Sequence, residues 1–214
     1  MISFVTNYDE ATRCNYDVYL NCGITAPISL LAHNATTHNL ISHLSSEVRN
    51  VFAMSHGGDN KLCDQGGNDT FTASSLSSLS NGESFNVFAY ACNTSITLGR
   101  NAAQNNIRWF GFIQPINSPD TKVSFQSVYA DIFGFIYDNF PNVSCVNSAE
   151  SFLDELKQIC DSKNKDIDEI ASLDEDISVI SAYMSVKQMW EKQKIWLSAQ
   201  CSVVHPDTQA PISW

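Results

Sequence analysis

Val51-Phe52-Ala53-Met54-Ser55-His56-Gly57-Gly58 is an apolar run of strand length that ends on a histidine. A second run, Phe85-Asn86-Val87-Phe88-Ala89-Tyr90-Ala91-Cys92-Asn93-Thr94-Ser95, carries a cysteine about 36 residues after that histidine. Short runs rich in β-branched and aromatic residues read as strands. If the two are parallel neighbours, His56 and Cys92 leave the sheet together at one edge. A cysteine beside a histidine is the minimum equipment of a thiol nucleophile.

Working outward, strands are predicted over 16–21, 27–32, 50–55, 85–91 and 107–113. Helical segments fall between them. One carries Asn39, Leu40, Ile41 and Leu44, another runs from Ala73 to Leu79, and a third from Ile96 to Gln104. A longer one spans Phe125 to Phe140, with Phe125, Val128, Ile132, Phe135 and Ile136 at helical spacing. Strands alternating with helices predict an α/β fold, a mostly parallel central sheet with helices on both faces. The ligand site of such a sheet lies at the carboxyl ends of its strands, where His56 and Cys92 both fall.

From about Asn147 the pattern changes. Phe152, Leu153, Leu156 and Ile159 form one face of a helix, and an acidic stretch from Asp161 to Asp176 reads as a solvated helix face plus a turn. Ile177 to Leu197 reads as a final helix carrying Tyr183, Met184, Met189, Trp190 and Trp196. The expected division is a core over 1–146 and a helical C-terminal extension over 147–214 packed on it.

Composition narrows the function. A chain of 214 residues with 43% hydrophobic residues suits one globular domain. No apolar stretch reaches the roughly 18 residues of a membrane span, and the first residues lack the basic start and apolar core of a signal peptide. A cytoplasmic location is expected, with no membrane partner. A net charge of −11 repels phosphate backbones, so no direct nucleic-acid binding is expected. The seven cysteines include no Cys-x-x-Cys pair, which argues against a zinc site. No phosphate-loop pattern opens a helix, and no metal or cofactor is expected.

The order of these pieces resembles the caspase-like cysteine peptidases, and most closely the CHAT branch that includes the separase-like enzymes. The resemblance rests on Asn34-Ala35-Thr36, the helical pair Leu40 and Leu44, and the strand ending in His56-Gly57. It continues through the polar hairpin Asn68-Asp69-Thr70-Phe71-Thr72-Ala73, Leu76, the strand ending in Ala91-Cys92-Asn93-Thr94, and Gly99. It closes on the loop Gln114-Pro115-Ile116-Asn117-Ser118-Pro119-Asp120, and covers about residues 25–140. It implies a caspase-like three-layer sandwich, a catalytic dyad of His56 and Cys92, an oxyanion site built from the backbone N–H groups of Gly57 and Cys92, and substrate contacts from Tyr90, Gln114, Asn117 and Asp120.

Departures from the family pattern bear on specificity. The pocket loop usually begins with Trp, where this chain has Gln114. Of the acidic residues that separases carry there, only Asp120 remains. Metacaspases have Asp two residues before the catalytic cysteine, where this chain has Tyr90. A strict preference for Arg or Lys is therefore not expected.

In the expected chemistry Cys92 attacks a peptide carbonyl, helped by a helix beginning near Thr94. His56 protonates the leaving amine and later activates water. Asp59 and Asp69 are the candidates for orienting His56, and Cys63 is taken as an incidental exposed thiol. The resemblance further implies an endopeptidase acting on a specific protein partner in prokaryotic antiviral defence or programmed cell death. A regulatory or sensor protein would control it, with the acidic C-terminal third as a docking surface. Two other readings stand beside this one. The first is a catalytically silent caspase-like binding or scaffold module. The second is a flavodoxin-like domain in which His56 and Cys92 are coincidental.

Overall fold

Both runs that carry the candidate dyad are strands, and they are neighbours. The structure is a computed structural model that describes residues 1–44, 49–80, 84–174 and 176–209. In chain order the elements begin β1 (Ile2–Val5), α1 (Glu10–Asn21), β2 (Ile28–Leu31), α2 (Thr37–His43) and β3 (Val51–Met54). A small antiparallel sheet follows, made of β4 (Gly57–Gly58), β5 (Lys61–Cys63) and β6 (Asp69–Phe71). Then come α3 (Ala73–Ser80), β7 (Phe85–Tyr90), α4 (Leu98–Gln104), β8 (Ile107–Phe112) and α5 (Gln126–Asn139). The chain continues through α6 (Val146–Leu173), α7 (Ile180–Glu191), β9 (Gln193–Ser198) and β10 (Cys201–Val203).

The central sheet has seven strands in the order β10-β9-β8-β7-β3-β1-β2. The strands from β8 to β2 are parallel, and β9 runs against β8 with Trp109 opposite Trp196. Val51 pairs with Val87 and Met54 with Tyr90, so β3 and β7 end level. The next residues, Ser55-His56 and Ala91-Cys92, therefore leave the sheet side by side.

Helices cover both faces, giving a three-layer α/β sandwich. Strand side chains alternate between the layers. Val5, Phe52, Met54, Phe88, Tyr90, Phe110 and Phe112 face the layer built by α1, α5, α6 and α7. Ile2, Phe4, Val51, Ala53, Val87, Ala89, Ile107 and Trp109 face the layer of α2, α3 and α4. Burial on both faces explains why these strands read as continuous apolar runs. Phe52 and Phe88 stack at 5.1 Å between ring centroids, each burial contributing roughly 1.5–3 kcal/mol.

The structure departs from the expected elements in three places. Residues 16–21 are the second half of helix α1, not a strand. The alternation in Tyr16-Asp17-Val18-Tyr19 misleads because the buried stripe of the helix is half polar: Thr12, Asn15, Val18 and Tyr19. Ile2–Val5, fully buried, is a strand between β3 and β2. The final helix stops at Glu191, and Gln193–Ser198 joins the sheet as β9, with Trp196 on the strand. The segment after residue 146 is thus not purely helical: α6 and α7 share the core with α5, and β9 and β10 extend the central sheet. Of the acidic stretch, α6 includes residues as far as Leu173 and Asp174 is its C-terminal cap. Glu175 lies outside the described residues. Asp161 pairs with Lys157 and Asp166 with Lys163, as expected of a solvated helix face.

Asp64 fixes the small sheet to the rest. One carboxylate oxygen accepts from the Gly66 and Asn68 backbone at 2.9 and 3.0 Å. The other accepts from the Thr37 backbone and hydroxyl at 3.2 and 3.0 Å. Burial opposes its ionised form, but these hydrogen bonds hold the carboxyl below the usual carboxylate range. A carboxyl whose pKa is depressed by folding contributes stability above its unfolded value and loses it as pH falls through the folded value. Thermal melts should therefore show stability falling below about pH 4. Asp64→Asn should be less stable at pH 7 by about 1–3 kcal/mol, and the gap should narrow as the wild-type carboxyl is protonated. A gap that stays constant to pH 2.5, roughly below the ordinary carboxyl pKa, would refute this role.

Candidate active site

The strand ends place the reactive side chains. Ser55 donates its backbone N–H to Tyr90 O at 3.3 Å, and its hydroxyl joins Thr6 Oγ1 at 2.9 Å and Cys63 O at 2.8 Å. Cys63 N–H donates to His56 O at 3.0 Å, which fixes the backbone on the other side. The imidazole stands half-exposed, with Tyr8 packed against it at 5.6 Å between ring centroids.

His56 Nε2 lies 2.6 Å from Asp9 Oδ2. Asp9 is the N-cap of α1, and its Oδ1 accepts the Thr12 N–H at 2.9 Å while Thr12 Oγ1 accepts the Asp9 N–H at 3.0 Å. One oxygen of the carboxylate thus closes the helix and the other holds the histidine. Partial burial works against its charge, but the hydrogen bonds from Thr12 and His56 keep the carboxyl below the usual range. The loop before Asp9 is held in turn by Gln65, whose amide bonds the Asn7 N–H and C=O at 2.6 and 2.9 Å.

This assignment replaces the sequence candidates for the orienting group. The Asp59 carbonyl accepts from Thr97 and Leu98 at the start of α4, and the Asp69 carboxylate pairs with Lys61 at 3.0 Å. Cys63 is also not an exposed thiol. It is buried and hydrogen-bonded to Tyr8, whose hydroxyl is pushed up to about 12, chiefly by burial and next by Cys63.

Cys92 opens a turn that bridges β7 and α4. Asn93 has φ of +60°, a left-handed conformation that Asn tolerates. Asn93 N–H donates to Gln114 O at 3.3 Å and Ser95 N–H to Phe112 O at 3.0 Å. These bonds tie the turn to the end of β8. Cys92 Sγ accepts the Ile116 N–H at 3.3 Å and lies 3.7 Å from Ile116 O, to which the thiol donates. The expected helix near Thr94 begins instead at Leu98. A helix dipole acts within its first turn, so backbone contacts from the loop, not α4, surround the sulfur.

His56 and Cys92 line one small cleft together with Ala11, Asn15, Ser55, Tyr90, Ala91, Ile116, Asn117 and Ser118. Gly57 backs onto it. Because Cys63 N–H bonds His56 O, Gly57 and Leu62 form a non-hydrogen-bonded pair of the ladder, and the Gly57 N–H points away from β5. A Cβ on Gly57 would lie 2.8 Å from Cys92 O, so the two backbones touch. Neither the Gly57 nor the Cys92 N–H finds a backbone acceptor among the described residues, which leaves both for an oxyanion.

The remaining sequence candidates separate. Tyr90 is buried in the cleft floor and donates its hydroxyl to Asn117 O at 2.7 Å. Burial, then Tyr129, raises its hydroxyl well above the usual range, so it stays neutral. Asn117 lines the cleft, clamped by the Gln188 amide of α7 through its N–H at 2.8 Å and its C=O at 2.6 Å. Gln114 is exposed and contributes its carbonyl to the Cys92 turn. Asp120 is buried at the base of the loop, bonded to Lys122 at 2.7 Å and to Ser181, and lies outside the cleft lining.

Sequence reasoning missed Asp9, Asn15 and Gln188. The signal for Asp9 is present: an acidic residue followed three positions on by Thr12 is a helix-capping pattern. No protein family, curated protein or solved structure matches this chain. Among the described residues no helix is long and apolar enough to cross a membrane. The arrangement supplies a thiol and a carboxylate-held imidazole in one cleft, with the Gly57 backbone against the Cys92 turn, a set that nucleophilic acyl transfer can use.

Proposed function

We propose that this chain is a cysteine endopeptidase with a Cys92–His56 dyad. The observation that carries the reading is the placement of Cys92 and the Asp9-held His56 in one cleft at the carboxyl edge of the sheet, with Gly57 packed against the Cys92 backbone. In this reaction the Cys92 thiol gives its proton to His56 as Sγ bonds to the peptide carbonyl carbon, and the oxygen takes up negative charge facing the Gly57 and Cys92 N–H groups. The carbon–nitrogen bond then breaks as His56 protonates the departing amine. Water, deprotonated by His56, attacks the thioester, and Cys92 is released with a carboxylic acid product.

The proposed substrate is a protein partner, and the caspase-like resemblance supports a cytoplasmic effector of prokaryotic antiviral defence or cell death. Control by a second protein is supported by the Ile116 contacts to Cys92 Sγ, which a substrate must displace. Gln188 joins that loop to α7, so a partner bound near the C-terminal helices acts on Cys92 through Asn117. The same Ile116 contacts favour the second reading, a caspase-like scaffold without turnover.

Co-expression with the proteins encoded beside it, followed by mass spectrometry of new fragments, separates the two. A fragment made with wild type and absent with Cys92→Ala and His56→Ala is the expected result. A stable complex formed equally by wild type and variants, without cleavage when the neighbouring sensor is triggered, would favour the scaffold.

A further inference from the structure

Asn15 sits in the middle of α1 and is among the residues that line the cleft with Cys92. The residue is only 5% exposed, and its amide oxygen has no hydrogen-bond partner. A buried polar atom without a partner is costly, and an apolar residue of the same shape removes that cost. The position lies on the buried stripe of α1, next to Thr12, Val18 and Tyr19. Packing alone would favour Leu or Ala there.

The rest of the cleft is short of charge. Its lining holds no carboxylate, lysine or arginine, and His56 is already engaged with Asp9. The lining offers a cationic side chain no carboxylate of its own, the neighbouring Asp9 being engaged with His56, and an anionic one would enter a chain of net charge −11. Tyr90 and Gln188 satisfy each other and Asn117, so they offer no unmet group. The Asn15 amide oxygen is the buried unmet atom of the lining, and amide rotation lets the group present either an acceptor or a donor.

We infer that Asn15 is the specificity determinant of the cleft, selecting an uncharged, hydrogen-bonding side chain (Asn, Gln, Ser or Thr) on the residue whose carbonyl Cys92 attacks. This rests on the peptidase reading and adds to it the class of residue cut. A site built to hydrogen-bond its substrate discriminates strongly against analogues that leave the site unpaired.

The test uses the full chain and short peptidyl acyloxymethyl ketones that differ only in the residue beside the ketone: Asn, Leu, Arg or Asp. Cys92 Sγ bonds to the methylene carbon, the carboxylate leaves with the electron pair, and the thiol proton passes to solvent. Intact mass gives the labelling rate. Wild type should react with the Asn probe about tenfold or more faster than with the Leu or Arg probe. Asn15→Asp should move the preference toward Arg, and Asn15→Leu toward Leu without lowering the melting temperature. The second variant keeps the test sharp if the first folds poorly. Equal rates for all probes on wild type, or an unchanged order in both variants, would overturn the role of Asn15 while leaving a reactive Cys92. Failure of every probe to label wild-type Cys92 would instead overturn the peptidase reading, and the inference with it.

Discussion

His56→Ala should slow cleavage of the protein substrate by about 10²–10⁴-fold, the usual contribution of a positioned general acid–base. On the peptidase reading, the Asp9 contact selects the nitrogen that would perform the transfer. Asp9 is ionised and only accepts hydrogen bonds, so the neutral imidazole carries its proton on Nε2, 2.6 Å from Asp9 Oδ2. Nδ1 is then the nitrogen left to exchange protons with the amine and with water. The ring is half-exposed, so its loss should leave stability within about 0.5 kcal/mol of wild type. Asp9 separates orientation from folding. Asp9→Ser retains a good helix N-cap but removes the carboxylate from Nε2, and should give an intermediate loss of rate with an unchanged melting temperature. Asp9→Ala should give the same loss of rate and cost about 1 kcal/mol of stability as well. The checks are initial rates of fragment formation beside thermal melts. A His56→Ala protein within tenfold of the wild-type rate, about the limit of an incidental effect, would remove His56 from the mechanism.

The juxtaposition of His56 and Cys92 was legible because both follow strands buried on two faces. Such strands show as unbroken apolar runs, and a parallel sheet aligns their carboxyl ends. The other groups in and around the cleft were not legible in the same way. Asp9 and Asn15 lie on α1, whose buried stripe contains Thr12 and Asn15 and so lacks the apolar period of a helix. One member of that half-polar stripe, Asn15, lines the cleft. Local pattern and global fold disagree where the chain serves the site, as expected of functional positions. Gln188 was hidden for another reason. It lies 98 positions from the Tyr90 hydroxyl that it bonds, and nothing local marks that contact. β9 was lost to the helix before it because a single residue, Lys192, separates α7 from Gln193. The tryptophans at 190 and 196 extended the apparent helical pattern across that boundary.

Gly57→Val should damage stability and turnover together, by a route distinct from loss of the dyad. An added Cβ would lie 2.5 Å from Thr94 Cγ2, 2.8 Å from Cys92 O and 2.9 Å from Ala91 Cβ. Thr94 is fully buried and the Cys92 carbonyl is backbone, so neither can turn aside cheaply. The strand end carrying Gly57 must move away from the Cys92 turn. Overpacking of this kind costs about 1–3 kcal/mol, or roughly 2–12 °C in melting temperature for a chain of this length. The same displacement takes the Gly57 N–H from the developing oxyanion, and removing one such donor lowers turnover by about 10²–10³-fold. Gly58→Ala is the matched control, since its new Cβ would meet only Lys61 Cγ at 3.7 Å, an ordinary contact. It should stay within about 0.5 kcal/mol of wild type and keep its activity. Rates must be taken well below the melting transition of the Gly57 variant, so that unfolding does not account for the loss. A Gly57→Val protein that is destabilised yet cleaves at the wild-type rate would show that the close approach to Cys92 serves packing alone, and would take the Gly57 N–H out of the oxyanion site.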